Sequence, residues 1–164
     1  GQHRLSAPVL FCWVGKTSAA YARVGIEDYT GRIARYRPCR ELVVAQERGK
    51  GRFSSAHRVE REGGRILERV EAVGSAAVIS LDGSGKQVDS RQLAAWVRQY
   101  SYDEGRPLVF VVGGPDGLSS SVLRRSDRLL GLSRLTLPHD MARLFLTEQV
   151  YRSLTIIEGH PYDR

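Results

Sequence analysis

The chain has 164 residues, 41% hydrophobic and 26% charged, with a formal net charge of +7. That length suits one domain spanning residues 1–164, able to bury about two thirds of its unfolded surface, and the composition is neither disordered nor fibrous. The longest apolar run, residues 7–14, is far shorter than the ~20 residues a bilayer-crossing helix needs, so no membrane span is expected.

In chain order, residues 9–14 read as a short buried strand ended by Gly15. His3, Arg4, the apolar run and Ser18-Ala19-Ala20 also have the layout of a signal peptide, but the helix pattern that follows directly favours the strand. Ala22, Ile26, Tyr29, Ile33 and Tyr36 step by four and three, which predicts a helix stopping before Pro38. Residues 42–45 form a second strand, and the polar stretch 46–55, punctuated by Gly49 and Gly51, a basic loop. Val59, Gly63, Ile66, Val70 and Val73 predict a second helix closing at Gly74. Residues 76–81 are a third strand, and Ser90 caps a helix carrying Leu93, Trp96, Val97 and Tyr100. Residues 108–112 are a fourth strand running into Gly113-Gly114-Pro115, and Ser119–Ser121 caps a short helix. Residues 132–137 are a fifth extended segment, and Met141, Leu144, Phe145, Tyr151 and Leu154 mark a last amphipathic helix. Strands alternate with helices and are continuously apolar, so the fold class is α/β, a mostly parallel sheet flanked by helices. Ligands of such sheets bind beyond the carboxyl ends of the strands, where the turns at 82–85, 113–117 and 138–140 lie.

Two phosphate motifs fail on inspection. Gly15-Lys16-Thr17 needs a glycine where Leu10 stands, and Gly83-Ser84-Gly85 has Val88 at the third glycine position of a dinucleotide fingerprint. The run Gly113-Gly114-Pro115-Asp116-Gly117 is more informative, because glycines directly after a buried strand let the backbone approach a ligand closely. No Ser-His-Asp order is visible, none of the four histidines has metal-ligand spacing, and Cys12 and Cys39 form no CxxC pair. Neither covalent catalysis nor a metal is expected, and the cysteine usage suits a reducing cytoplasm. The charge is one-sided: residues 1–80 carry 14 basic and 8 acidic side chains, residues 81–164 carry 11 and 10. Arg32, Arg35, Arg37, Arg40, Arg48, Lys50, Arg52 and Arg58 face only Glu41 and Glu47 across their stretch, a field that attracts polyanions.

The C-terminal string Leu132-Ser133-Arg134-Leu135-Thr136-Leu137-Pro138-His139, followed by Arg143, Glu148-Gln149, Tyr151-Arg152 and His160-Pro161-Tyr162, resembles the RlmH family of 23S ribosomal RNA pseudouridine-N3 methyltransferases. Val112 to Gly117, Val14-Gly15-Lys16, Gly25-Ile26, Glu27-Asp28-Tyr29 and Ile79 to Asp82 with Gly85 extend the resemblance over nearly the whole chain. It implies a SPOUT-type fold with a C-terminal trefoil knot, which periodicity alone does not reach, since knots are nearly absent from proteins. It also implies a homodimer acting on ribosomal RNA in the ribosome, with S-adenosyl-L-methionine as methyl donor. By position the donor should touch Leu81, Gly113, Leu132, Ser133, Arg134, Leu135, Thr136 and Leu137. His139, Arg143 and Tyr162 are the candidate catalytic residues, as base, anion stabiliser or phosphate contact, and stacking or hydrogen-bonding group. One departure stands out: Asp163 occupies the place where the family usually carries a histidine after Pro-Tyr. A carboxylate there would repel phosphate, which leaves open a homologue that binds RNA without transfer, or one with a different nucleoside target such as a tRNA base.

Overall fold

The computed structural model describes residues 6–48 and 54–162; Lys50, Arg52, Asp163 and Arg164 lie outside the described residues. Five parallel strands, β1 (Val9–Val14), β2 (Cys39–Val44), β3 (Ala77–Gln87), β4 (Leu108–Val112) and β5 (Arg128–Gly131), form one sheet in the order β2-β1-β4-β3-β5. The helices are α1 (Ala20–Ile33), α2 (Ser55–Val73), α3 (Ser90–Val97), α4 (Ser120–Arg125) and α5 (His139–Glu158). The expected α/β class, parallel sheet and flanking helices are all present.

All residues of β1 and β4 are buried, as expected of strands covered on both faces. Side chains alternate between two cores. Val9, Phe11, Trp13, Ile79 and Phe110 meet Ile33 of α1, Leu93 and Val97 of α3, and Leu146, Val150 and Leu154 of α5. Leu10, Cys12, Val78 and Val111 face Ile66 and Val70 of α2 and Val122 of α4 on the other side. Phe11 stacks on Trp13 and on Phe110 at 5.4 and 5.6 Å between centroids. Burying each such ring is worth about 1.5–3 kcal/mol.

Several sequence expectations shift. The first helix ends at Ile33, and Tyr36 follows in a turn. The third helix is capped by Asp89 rather than Ser90: the Asp89 side chain accepts from Gln92 N while the Gln92 side chain accepts from Asp89 N. Tyr100 lies in a separate π-helical turn, Arg98–Asp103. The fifth strand is Arg128–Gly131, not residues 132–137, which form a loop; their polar and glycine-flanked neighbours had hidden the short Leu129-Leu130 pairing. Of the stripe expected on the last helix, Tyr151 and Leu154 are buried, but Met141 and Phe145 are 42% and 44% exposed, and Leu146 and Val150, which were not expected, join the core. Among the described residues no helix is long and apolar enough to cross a membrane.

The sheet edge at β5 shapes the site. Leu130 pairs with Leu81 and again with Lys86, so residues 82–85 bulge out of β3 above it. Gly85 is pressed onto this crossing: a β-carbon there would lie 2.6 Å from Leu130 C and 2.7 Å from Gly131 N. Because both obstacles are backbone, Gly85→Ala is expected to destabilise the protein by about 1–3 kcal/mol, measured as a lowered midpoint of denaturant unfolding. An unchanged midpoint would show that β3 and β5 tolerate separation here.

Candidate active site

Beyond the carboxyl ends of β3, β4 and β5 lies a cleft of about 370 Å³, within the range of small-molecule sites. Its floor is Leu81, Val112 and Leu130, one wall is the glycine turn after β4, and the other is the loop between β5 and α5. Of the eight residues expected to touch the donor, seven line it: Leu81, Gly113, Leu132, Ser133, Leu135, Thr136 and Leu137; Arg134 does not. His139 lines it as well. Asp82, Gly114, Leu118 and Gly131 were not anticipated individually, although the first three sit in or beside turns that the sequence marks.

The glycine turn is closed by Gly117 N donating to Gly114 O at 3.0 Å, with Gly117 at φ +85°. At Gly113 a β-carbon would lie 2.8 Å from the Leu118 side chain and 2.9 Å from Gly117 O, so only glycine lets the turn fold this tightly against the strand end. Beneath it sits the buried Glu62 of α2, which accepts from Glu47 N at 2.9 Å. Burial raises the Glu62 pKa, and the Glu47 amide opposes the shift. Arg58 pairs with Asp116 at 3.4 Å. Nothing in the sequence marks Glu62, because an acid in the middle of a charged helix reads as solvated.

The three candidate catalytic residues do not converge. His139 is the first residue of α5, half-exposed at the rim of the cleft. Arg143 is fully buried. Its guanidinium donates to Val14 O at 2.7 Å and to Gly15 O and Thr17 Oγ1 at 3.0 Å, 5.4 Å from the Trp13 ring. Burial lowers its pKa against the opposing charges of Asp140 and Glu41. Arg143 therefore does not reach the cleft; it ties α5 to the end of β1. Tyr162 packs near the far end of α5, donating to Glu148, with the Arg152 guanidinium 4.0 Å over its ring. Burial and the Glu148 carboxylate raise its pKa, so at neutral pH it is a neutral phenol that donates. Nine residues separate His139 from Glu148, about 14 Å along a helix, so within one chain Tyr162 and the cleft are apart.

Of the basic stretch, Arg37 is spent inside the fold, donating to Ser101 and stacking 3.9 Å over Tyr102. Arg35, Arg40 and Arg48 are exposed. Among the described residues no group of three or more His, Cys, Asp or Glu is placed to hold a metal. Burial pushes the Cys12 thiol up to about 11 and that of Cys39 to about 12, so neither is a nucleophile at neutral pH. In the native protein both are expected to resist alkylation at pH 8 and to react on unfolding, a contrast read by mass spectrometry. Arg143→Met orphans two carbonyls and should cost about 2–4 kcal/mol, with the melting temperature as readout.

The profile described as "Predicted SPOUT methyltransferase" matches residues 8–163. A Syntrophotalea carbinolica protein named ribosomal RNA large subunit methyltransferase H is 40% identical over 153 residues, covering 93% of this chain and 96% of that relative. Its namesake from Geobacter metallireducens is 42% identical, covering 92% and 94%. Among solved structures, a probable methyltransferase from Bordetella pertussis superposes with a TM-score of 0.58 at 17% identity, covering 93% of this chain and 98% of that one. A probable methylase family protein from Haemophilus influenzae gives 0.57 at 12% identity, covering 93% and 67%. These two likenesses concern the fold alone. With a profile match over nearly its whole length and relatives at about 40% identity, the chain belongs to the SPOUT methyltransferase family.

Proposed function

We propose that this protein, acting as a single-domain subunit, transfers a methyl group from S-adenosyl-L-methionine to N3 of a pseudouridine in the 23S RNA of the assembled bacterial ribosome. The observation that carries this reading is the cleft at the ends of β3, β4 and β5, in a chain about 40% identical to proteins named for large-subunit ribosomal RNA methylation. The residues present fit such a donor. Leu81, Leu118, Leu132 and Leu137 offer apolar walls for adenine and the methionine chain, Gly113 leaves backbone within reach, and Ser133, Thr136 and Asp82 supply polar contacts. When bound, the donor supplies an electrophilic methyl on sulfonium.

Chemistry at a ring N–H then needs alignment and a proton acceptor. His139, which lines the cleft, is the residue we assign to take that proton. Arg143 serves as a positioning residue through its grip on Val14, Gly15 and Thr17. Tyr162 and Arg152, at the other end of α5, are suited to an RNA base and phosphate, and a second copy is the natural way to bring them to a cleft. Tyr21, Val24, Met141 and Phe145 are exposed on the adjoining helices α1 and α5, which supports a homodimer through that face. The position of β5 at the sheet edge, with α5 returning to pack on α1 and α3, supports the trefoil knot. Two free cysteines suit a cytoplasmic enzyme, and the exposed Arg35, Arg40 and Arg48 suit phosphate contacts that position without reading sequence.

Methyl-labelled donor incubated with intact ribosomes, separate subunits and free rRNA should place label on a pseudouridine of the ribosome. Label on tRNA alone would redirect the substrate, and donor binding without transfer to any RNA would mark a binding protein. His139→Ala is expected to lower kcat by about 10²–10⁴ with donor binding retained; full turnover would remove it as the base. Light scattering should give twice the chain mass for the wild type, and Val24→Glu with Phe145→Glu should give the monomer without transfer.

A further inference from the structure

Asp140, next to the rim histidine, is 8% exposed, and its two carboxylate oxygens have different surroundings. Oδ2 accepts from Ser18 N at 3.1 Å and Ala19 N at 2.8 Å. It thereby caps α1, whose own N-cap residue, Ala19, has no side chain able to do so. Oδ1 is buried, has no hydrogen-bond partner among the described residues, and lies 3.7 Å from His139 Nε2. A buried anionic oxygen without a donor is costly, and the imidazole stands just outside hydrogen-bonding reach of it.

We propose that Asp140 is a positioning residue for His139: its Oδ1 receives the Nε2 hydrogen and so leaves the Nδ1 lone pair facing the cleft as proton acceptor. This rests on the reading of His139 as the base. Which imidazole nitrogen carries the hydrogen is set by the bond the other makes, and an acidic partner also stabilises the imidazolium that forms. In the transfer, the carbon–sulfur bond breaks with its electron pair left on sulfur and the carbon–nitrogen bond forms. The ring N–H proton passes to Nδ1 and is later released to water. Charged groups near the pair include Arg143 one turn along α5, turned away to the carbonyls of β1, Arg23, which donates to the Ser18 carbonyl, Lys16 in the segment Asp140 and Arg143 hold, and Asp82, which lines the same cleft. Through Oδ2 the same residue holds the start of α1, so it joins His139 to the β1–α1 loop.

Asp140→Asn separates the two tasks. Its amide oxygen still accepts from Ser18 and Ala19, while its N–H₂ now faces Nε2 as a donor and favours hydrogen on Nδ1, the unproductive tautomer. Nitrogen-15 NMR of labelled histidine should show the Nε2–H form of His139 in the wild type and a shift toward Nδ1–H in D140N. The variant's kcat should fall about tenfold or more, with KM for S-adenosyl-L-methionine and the melting temperature little changed. If D140N fails to fold, Asp140→Ser keeps a hydroxyl acceptor for α1, and its His139 should relax toward the tautomer mixture of free imidazole. Wild-type tautomer and wild-type kcat in the variant would overturn the assignment of Asp140. Full turnover of His139→Ala would instead overturn the role of His139 as base, while the tautomer measurement would still decide whether Asp140 holds it.

Discussion

A guanidinium with no exposed surface sits between the last helix and the first strand, and the geometry of the cleft hangs on it. Removing such a charge from water is expensive unless its hydrogens find acceptors, and Arg143 finds three, two of them carbonyls at the very end of β1. A strand end has carbonyls to spare because the chain leaves the sheet there. The bond set therefore fixes where α5 begins relative to the sheet, and with it the path of residues 132–138 between β5 and α5. That path is one wall of the cleft. Lysine in the same place would offer a point charge without the planar fork that spans two successive carbonyls and a hydroxyl.

The opposite wall is set by different physics. There the constraint is steric: Gly113 folds back on Leu118 and Gly117 with no room for a β-carbon, and Gly85 crosses Leu130 at the same closeness. The Arg58–Asp116 pair fastens the glycine turn to α2, while Glu62 of the same helix holds the Glu47 amide. The cleft thus lies between a turn anchored from one face of the sheet and a loop anchored from the other. Backbone held this way is suited to direct displacement, where catalysis consists mainly of placing two partners in line.

The centre of the sheet was legible because β1 and β4 are short, apolar on both faces and bounded by proline and glycine; residues 9–14 and 108–112 are β1 and β4 to the residue. The place of residues 132–137 beside the cleft was suggested only through resemblance, since Leu132 to Leu137 reads as a strand by periodicity and is a loop because β5 has already ended at Gly131. Arg143 was singled out through the resemblance, and nothing in the sequence shows that it is buried. A lone arginine in an amphipathic helix reads as exposed, and only the tertiary contact with β1 reveals the carbonyls that let it be buried. Met141 and Phe145 mislead in the opposite sense: their spacing marks a core stripe, yet both are exposed. Apolar periodicity reports that a face is covered, and it does not say whether the cover is the same chain or another copy.

The central claim is that this cleft holds the methyl donor. The most direct test is calorimetric titration of S-adenosyl-L-methionine into the wild type and into Leu135→Asp, chosen because Leu135 is 78% exposed and lines the cleft without supporting the fold. The account predicts one donor per cleft in the wild type and affinity weakened about tenfold or more in the variant, as expected when a charge enters an apolar wall. Equal affinity in both proteins would place the donor elsewhere.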